Sequence, residues 1–146
     1  MAGQRYRSWV LTIRGKVLEE MVCHCLDGYP LEACGLLAGT ASDDRSAVVT
    51  SVYPAENVAR SARLYEVDPR AMLRADRAAE EAGHEVLGVY HSHTHTDPRP
   101  SPTDVEQAPD PGWHYVLVSF RDVHPSVRSW LIRAGKIEEE PVVLQW

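Results

Sequence analysis

Three of the chain's seven histidines fall within five residues, in the run His91-Ser92-His93-Thr94-His95-Thr96-Asp97-Pro98-Arg99-Pro100-Ser101-Pro102-Thr103-Asp104. Side chains two apart on a strand point the same way, so His91 and His93 can aim both imidazoles at one point. Neutral imidazole suits zinc, and a tetrahedral catalytic site takes one further protein ligand while keeping its fourth position for water. Asp104, Asp97 and His95 are the nearby candidates for that third ligand. Asp104 has the best-defined placement, because Ser101-Pro102-Thr103-Asp104 reads as a helix start, with serine at the N-cap, proline at N1 and an acidic residue at N3. Standing alone, such a tetrapeptide would usually be a capping box and nothing more. Beside two histidines, the ligand reading is favoured.

Water polarised by a metal must still lose a proton, and a departing amine must gain one, which calls for a carboxylate near the ion rather than on it. Glu32 is the leading candidate. It stands at the mouth of an apolar segment, Glu32-Ala33-Cys34-Gly35-Leu36-Leu37-Ala38-Gly39, where desolvation would raise its proton affinity into a useful range. Most loop carboxylates are solvated surface groups, so composition alone leaves this assignment open.

These side chains need a scaffold, and the hydrophobic pattern supplies one. Residues 86–90 form a short apolar run feeding directly into the histidines, and residues 32–39 read as a buried strand whose neighbours approach closely at its glycines. Residues 9–13, 47–53 and 64–67 have strand character, with a polar turn expected around Asp43-Asp44. From Lys16, apolar residues recur at Val17, Leu18, Met21, Val22, Cys25 and Leu26, a helical spacing that ends near Gly28 and Pro30. Asp68-Pro69 reads as an N-cap followed by proline at the first helical position, opening a helix to about Gly83. Its apolar stripe is Met72, Ala75, Ala79 and Ala82, with Arg70, Arg74 and Arg77 on another face. Strands are expected again at 114–120, 127–133 and 141–144, the last ones meandering antiparallel through a turn at Gly135-Lys136. Helices early and consecutive strands late predict an α/β fold with a mixed sheet.

Composition sets the outer limits. At 146 residues, residues 1–146 are expected to make one domain with a packed core. A net charge of −6 repels phosphate backbones, so no nucleic-acid partner is expected. Neither a signal-peptide core nor an 18-residue apolar span is present, which predicts a cytoplasmic protein without a membrane partner. Cys23, Cys25 and Cys34 lack the C-x-x-C spacing of a zinc knuckle or redox site, so they are expected as reduced thiols.

Glu32 with its following segment, His91-x-His93, and Ser101-x-x-Asp104 seven residues beyond resemble the JAMM signature of the MPN, or Mov34/JAB, metalloproteases. The resemblance extends over nearly the whole chain. It implies the JAB1/MPN, cytidine-deaminase-like fold, a mixed β-sheet flanked by helices. It also implies one catalytic zinc ion ligated by His91, His93 and Asp104, with Glu32 activating the water and Ser101 steadying the oxyanion. The segments Tyr90-His91-Ser92-His93-Thr94, His114-Tyr115-Val116-Leu117-Val118-Ser119 and Glu139-Glu140-Pro141-Val142 are most similar to family members that act on a ubiquitin-like sulfur carrier. That likeness implies release of cysteine from the carrier's glycine-rich C-terminal tail. Alternatives are an isopeptidase removing a ubiquitin-like modifier from lysine, or a non-catalytic binding module. Thr94 departs from the proline of many deubiquitinating members, and nine residues between Asp104 and the next strand leave no room for a large ubiquitin-gripping insertion. The metallo-β-lactamase pattern requires Asp and His where His95 and Thr96 stand. Nucleobase deaminases need a His-x-Glu and a Pro-Cys-x-x-Cys, both absent from the sequence.

Overall fold

The strand whose alternation places His91 and His93 on one side is held in the interior of a sheet, paired on both edges. The computed structural model describes residues 10–42 and 46–146. Trp9 of the first expected strand and the expected turn at Asp43-Asp44 lie outside the described residues. The elements run β1 (Val10–Arg14), α1 (Gly15–Gly28), β2 (Cys34–Ala41), β3 (Ser46–Ala55), α2 (Pro69–Glu81), β4 (Glu85–His93), α3 (Pro102–Glu106), β5 (His114–Ser119), β6 (Ser126–Arg133), β7 (Lys136–Glu140) and β8 (Val142–Gln145). All eight strands share one mixed sheet in the order β7-β6-β5-β4-β2-β3-β1-β8.

The two edge strands are consecutive in sequence, joined by Pro141 alone. A flat eight-stranded sheet would hold its edges about 34 Å apart at the usual strand spacing. One residue reaches only about 3.5 Å. The sheet must therefore curl until its edges meet, and just past that seam the Leu11 amide donates to the Pro141 carbonyl at 3.0 Å, opening the pairing of the last strand with β1. Packed against the inner side are Val17, Met21 and Cys25 of α1, in one apolar cluster with Leu11, Ile13, Leu37, Val49, Tyr90, Val116 and Val118. On the other side α2 lays Ala75 against Leu36, Val89, Tyr115, Leu117 and Trp130.

Asp68 caps α2 as expected, its side chain accepting from the Arg70 amide at 3.0 Å with proline in the first turn. The buried stripe of α2 is Ala71, Ala75 and Ala79, so Ala82 is exposed and Ala71 takes its place, because the helix ends before Ala82 can turn inward. Leu26 is likewise exposed at the end of α1, beyond the reach of the sheet.

Three expectations about strands are corrected. Residues 64–67 make no strand beyond a single antiparallel bridge between Asn57 and Val67, since the rest of the segment is tied to loop groups instead. A strand unforeseen in the sequence, β7, pairs antiparallel with β6 through a turn at Ala134 and Gly135, both with positive φ. Its glutamate-rich sequence hides it: an edge strand exposed at most of its positions, with only Ile137 and Glu140 turned inward, carries little hydrophobic alternation. The last strand does not continue the meander. It crosses the seam and runs parallel to β1. None of the helices among the described residues is long and apolar enough to cross a membrane.

Candidate active site

β4 lies between antiparallel β2 and parallel β5, a position buried on both faces, and every residue from Leu87 to His93 is buried. Val89 faces the α2 side and Tyr90 the α1 side. By alternation His91 and His93 continue the face of Val89 at the carboxyl end of the strand, where α/β sheets commonly bind ligands. A parallel connection from β4 to β5 requires a crossover, and this one carries α3 back over the strand end. Ser101 caps α3 through a reciprocal capping box: its hydroxyl accepts from the Asp104 amide at 3.1 Å, and its own amide donates to Asp104 Oδ2 at 2.9 Å. The box fixes the Asp104 carboxylate toward β4.

Glu32 arrives from the other neighbour. Cys34 is paired with His91 in the β2–β4 register, so Glu32, two residues earlier, falls on the same face beside His93. Ala33 seals this junction from the opposite face, its amide donating to Ser92 Oγ at 2.8 Å and its carbonyl accepting from the Ser92 amide at 3.0 Å.

The resulting geometry is tight. Asp104 Oδ2 lies 3.2 Å from His91 Nε2 and 3.1 Å from His93 Nε2, and Glu32 Oε1 is 4.0 Å from His91 Nε2. All four residues are about 95% buried or more. Donor atoms of Glu32, His91 and His93 lie within 4.8 Å of one another, a separation that could hold a metal ion. Four-coordinate zinc with bonds of about 2.0 Å sets its ligand atoms roughly 3.3 Å apart. The two spacings from Asp104 to His91 and His93 are close to that value, and the spacing from Glu32 to His91 exceeds it.

Burial pushes the Glu32 carboxyl up from 4.5 to about 7, with His93 opposing the shift and Asp104 adding to it. Burial would raise Asp104 too, but hydrogen bonds from His91 and His93 outweigh it and hold this carboxyl far below the usual range. Burial lowers His91 despite the contact with Asp104. For His93 burial acts the same way, but hydrogen bonds to Asp104 and to the Asp97 carbonyl win and raise it. Two adjacent carboxylates thus take opposite character: Asp104 is a fixed anion, whereas Glu32 can exchange a proton near neutrality.

The other sequence candidates stand apart. Asp97 sends its side chain outward to Arg121, while its backbone carbonyl contacts His93 Nδ1 at 2.7 Å. His95 is exposed, with Thr94 Oγ1 at 2.9 Å on one ring nitrogen and the Tyr29 hydroxyl at 3.3 Å on the other. Two residues that sequence reasoning passed over touch the site: Tyr65 stacks on His91, and Asn57 hydrogen-bonds the Glu32 backbone. No local spacing signals them, because each acts across 25 or 26 residues of chain.

Fold and site together define a JAB-type hydrolase. The family model described as prokaryotic homologs of the JAB domain matches residues 15–133, and the chain belongs to this family. It is 43% identical over 135 residues to the CysO-cysteine peptidase of Mycobacterium tuberculosis, covering 92% of this chain and 90% of that one. It is 38% identical over 114 residues to the desampylase of Haloferax volcanii, covering 75% and 80%. A probable TtuB-protein conjugate cleaving protease of Thermus thermophilus is 34% identical, covering 90% and 82%. Among solved structures, that of a Desulfitobacterium hafniense protein superposes with a TM-score of 0.85 at 36% identity, covering 92% of both chains.

Proposed function

We propose that this chain is a zinc-dependent peptidase that hydrolyses the amide bond at the C-terminus of a ubiquitin-like sulfur-carrier protein and releases cysteine. The observation that carries the zinc reading is the convergence of His91 and His93 on Asp104, each about one zinc-ligand spacing from its carboxylate, with Glu32 just outside them. The donor set, two imidazoles and one carboxylate, suits a catalytic zinc site with a position left for water. Bound there, the ion would supply Lewis acidity toward the scissile carbonyl and make water acidic near neutral pH.

The rest of the chemistry belongs to side chains. Glu32 Oε1 is buried with no hydrogen-bond partner among the described residues, so it can accept the proton of the attacking water. The same carboxyl, poised near 7, then returns that proton to the departing amine nitrogen. Ser101 Oγ accepts from the Asp104 amide and keeps its own proton to donate to the oxyanion. A glycine-rich carrier tail suits side chains this deeply buried, because glycine lets backbone approach closely.

The substrate rests on similarity to the mycobacterial CysO-cysteine peptidase, which covers nearly the whole of both chains. The desampylase and the TtuB-conjugate protease favour a second reading, cleavage of a ubiquitin-like modifier from lysine. One experiment separates them: incubation with a carrier–cysteine adduct, a lysine-linked carrier conjugate and a plain peptide, with products identified by mass. Free cysteine is expected, and cleavage of the lysine conjugate alone would overturn the cysteine reading. Glu32→Gln should keep one zinc per chain while turnover drops about 100- to 10,000-fold. His91→Ala should lose the metal.

A further inference from the structure

Glu32 lies outside β2, so no sheet ladder holds its backbone; the loop after β3 does this instead. The Glu32 amide donates to the Ser61 carbonyl at 2.8 Å, and the Glu32 carbonyl accepts from Asn57 Nδ2 at 2.9 Å. Asn57 Nδ2 donates again to the Leu64 carbonyl at 3.0 Å, while Oδ1 accepts from the amides of Ala59 at 3.1 Å and Glu66 at 2.9 Å. An amide side chain offers two donor hydrogens and two acceptor lone pairs, and here all four are used. A short loop whose ends meet at the Asn57–Val67 bridge is thereby folded around one side chain.

The same loop delivers Tyr65 to the site. Its ring stacks on His91 with centroids 4.0 Å apart and planes 20° from parallel. Histidines that bind metals are normally oriented by a hydrogen bond at the second ring nitrogen. His93 has one, from Nδ1 to the Asp97 carbonyl. His91 has none: its Nδ1 is buried without a partner among the described residues. With Nε2 turned to Asp104 and the ring edge-on to His93, the face-to-face contact with Tyr65 is the closest ring contact that holds the plane of His91.

We infer that Asn57 and Tyr65 are positioning residues, two ends of one clamp that sets Glu32 through its backbone and His91 through its ring. Neither touches the reacting atoms. The inference rests on the proposed roles of Glu32 and His91, and its test separates the two.

The variants are Tyr65→Leu, which keeps bulk without the ring, Tyr65→Phe, which keeps the ring, and Asn57→Ala. Each is checked for native circular dichroism and one bound metal ion per chain. Two readouts follow: the visible spectrum of the cobalt-substituted protein, which reports ligand geometry, and kcat and KM on the carrier–cysteine adduct. Tyr65→Leu and Asn57→Ala should shift the cobalt bands and lower kcat about 10- to 100-fold, with KM within about threefold of the parent. Tyr65→Phe should restore both readouts. In the metal-free chain, His91 ring-proton shifts should lose the Tyr65 ring-current effect in Tyr65→Leu and keep it in Tyr65→Phe. Unchanged His91 shifts and cobalt bands in Tyr65→Leu, or losses that track only the folded fraction, would overturn the clamp. A fully active Glu32→Gln would instead overturn the role of Glu32, and the His91 shifts would still decide the stacking.

Discussion

Two carboxyl groups a few ångströms from the same imidazoles behave differently because one is hydrogen-bonded and the other is only buried. Asp104 accepts from both histidines and from the Ser101 amide, so ionisation is favoured. Glu32 Oε1 has no such donor, so desolvation sets its behaviour. This has a consequence for stability in the metal-free chain. The Glu32 value is about 7 in the folded chain and 4.5 unperturbed, so between these values the fold holds the extra proton. Ionisation therefore weighs against the fold as pH rises through 7, and not below 4.5. Metal-free Glu32→Gln should melt higher than its parent above pH 7, with the difference shrinking as pH falls to 4.5. Thermal melts across that range measure it, and a difference independent of pH would contradict the assignment.

The site depends on how strands sit beside one another as much as on which side chains they carry. A one-residue slip of β2 against β4 would turn Glu32 to the opposite face from His91 and His93. Gly88 guards the other flank of β4. It is paired with His114 of β5, and a Cβ there would lie 1.9 Å from the His114 carbonyl oxygen. Backbone cannot swing away as a flexible side chain can, so Gly88→Ala should cost roughly 3 kcal/mol in urea unfolding. Because the strain falls on the histidine-bearing strand, metal affinity should fall with it. A wild-type unfolding midpoint would show that the two strands part easily.

One edge of the sheet is held by a buried polar cluster next to the turn into β8. Glu140, the last residue of β7 before Pro141, is 2% exposed. Its Oε1 contacts His114 Nδ1 at 2.5 Å and accepts from Ser129 Oγ at 2.7 Å, tying β5, β6 and β7 together where the chain crosses to the far edge. Without Glu140 the buried Ser129 hydroxyl loses its acceptor and His114 loses a close polar contact in a site shut off from water. Glu140→Ala should therefore lose at least about 2 kcal/mol of stability by chemical denaturation. This cluster lies on the inner face, and the site lies on the outer one, so metal stoichiometry in the folded fraction should be unchanged. Loss of metal without loss of stability would mean that seam and site are not separate.

What could be read without coordinates was whatever rests on local rules. Strand alternation put His91 and His93 on one face, and proline and side-chain caps marked the starts of α2 at Asp68-Pro69 and α3 at Ser101-Pro102. These follow from backbone dihedrals and hydrogen bonds within a few residues. The choice among Asp104, Asp97 and His95 was another matter. The helix start at Ser101 favours Asp104 and family resemblance adds to it, but its placement beside both imidazoles depends on the crossover that brings α3 back over β4. Glu32 reaches His93 through a register set by two whole strands, and Tyr65 and Asn57 reach the site through a loop without hydrophobic period. The edge strands escape a sequence reading for a related reason. The lysine and glutamates of β7 give no core signal, and nothing in Val142–Gln145 reveals that its partner is β1, more than 120 residues earlier. Contacts between distant segments are set by the curl of the sheet and the packing it encloses, neither of which has a local pattern to read.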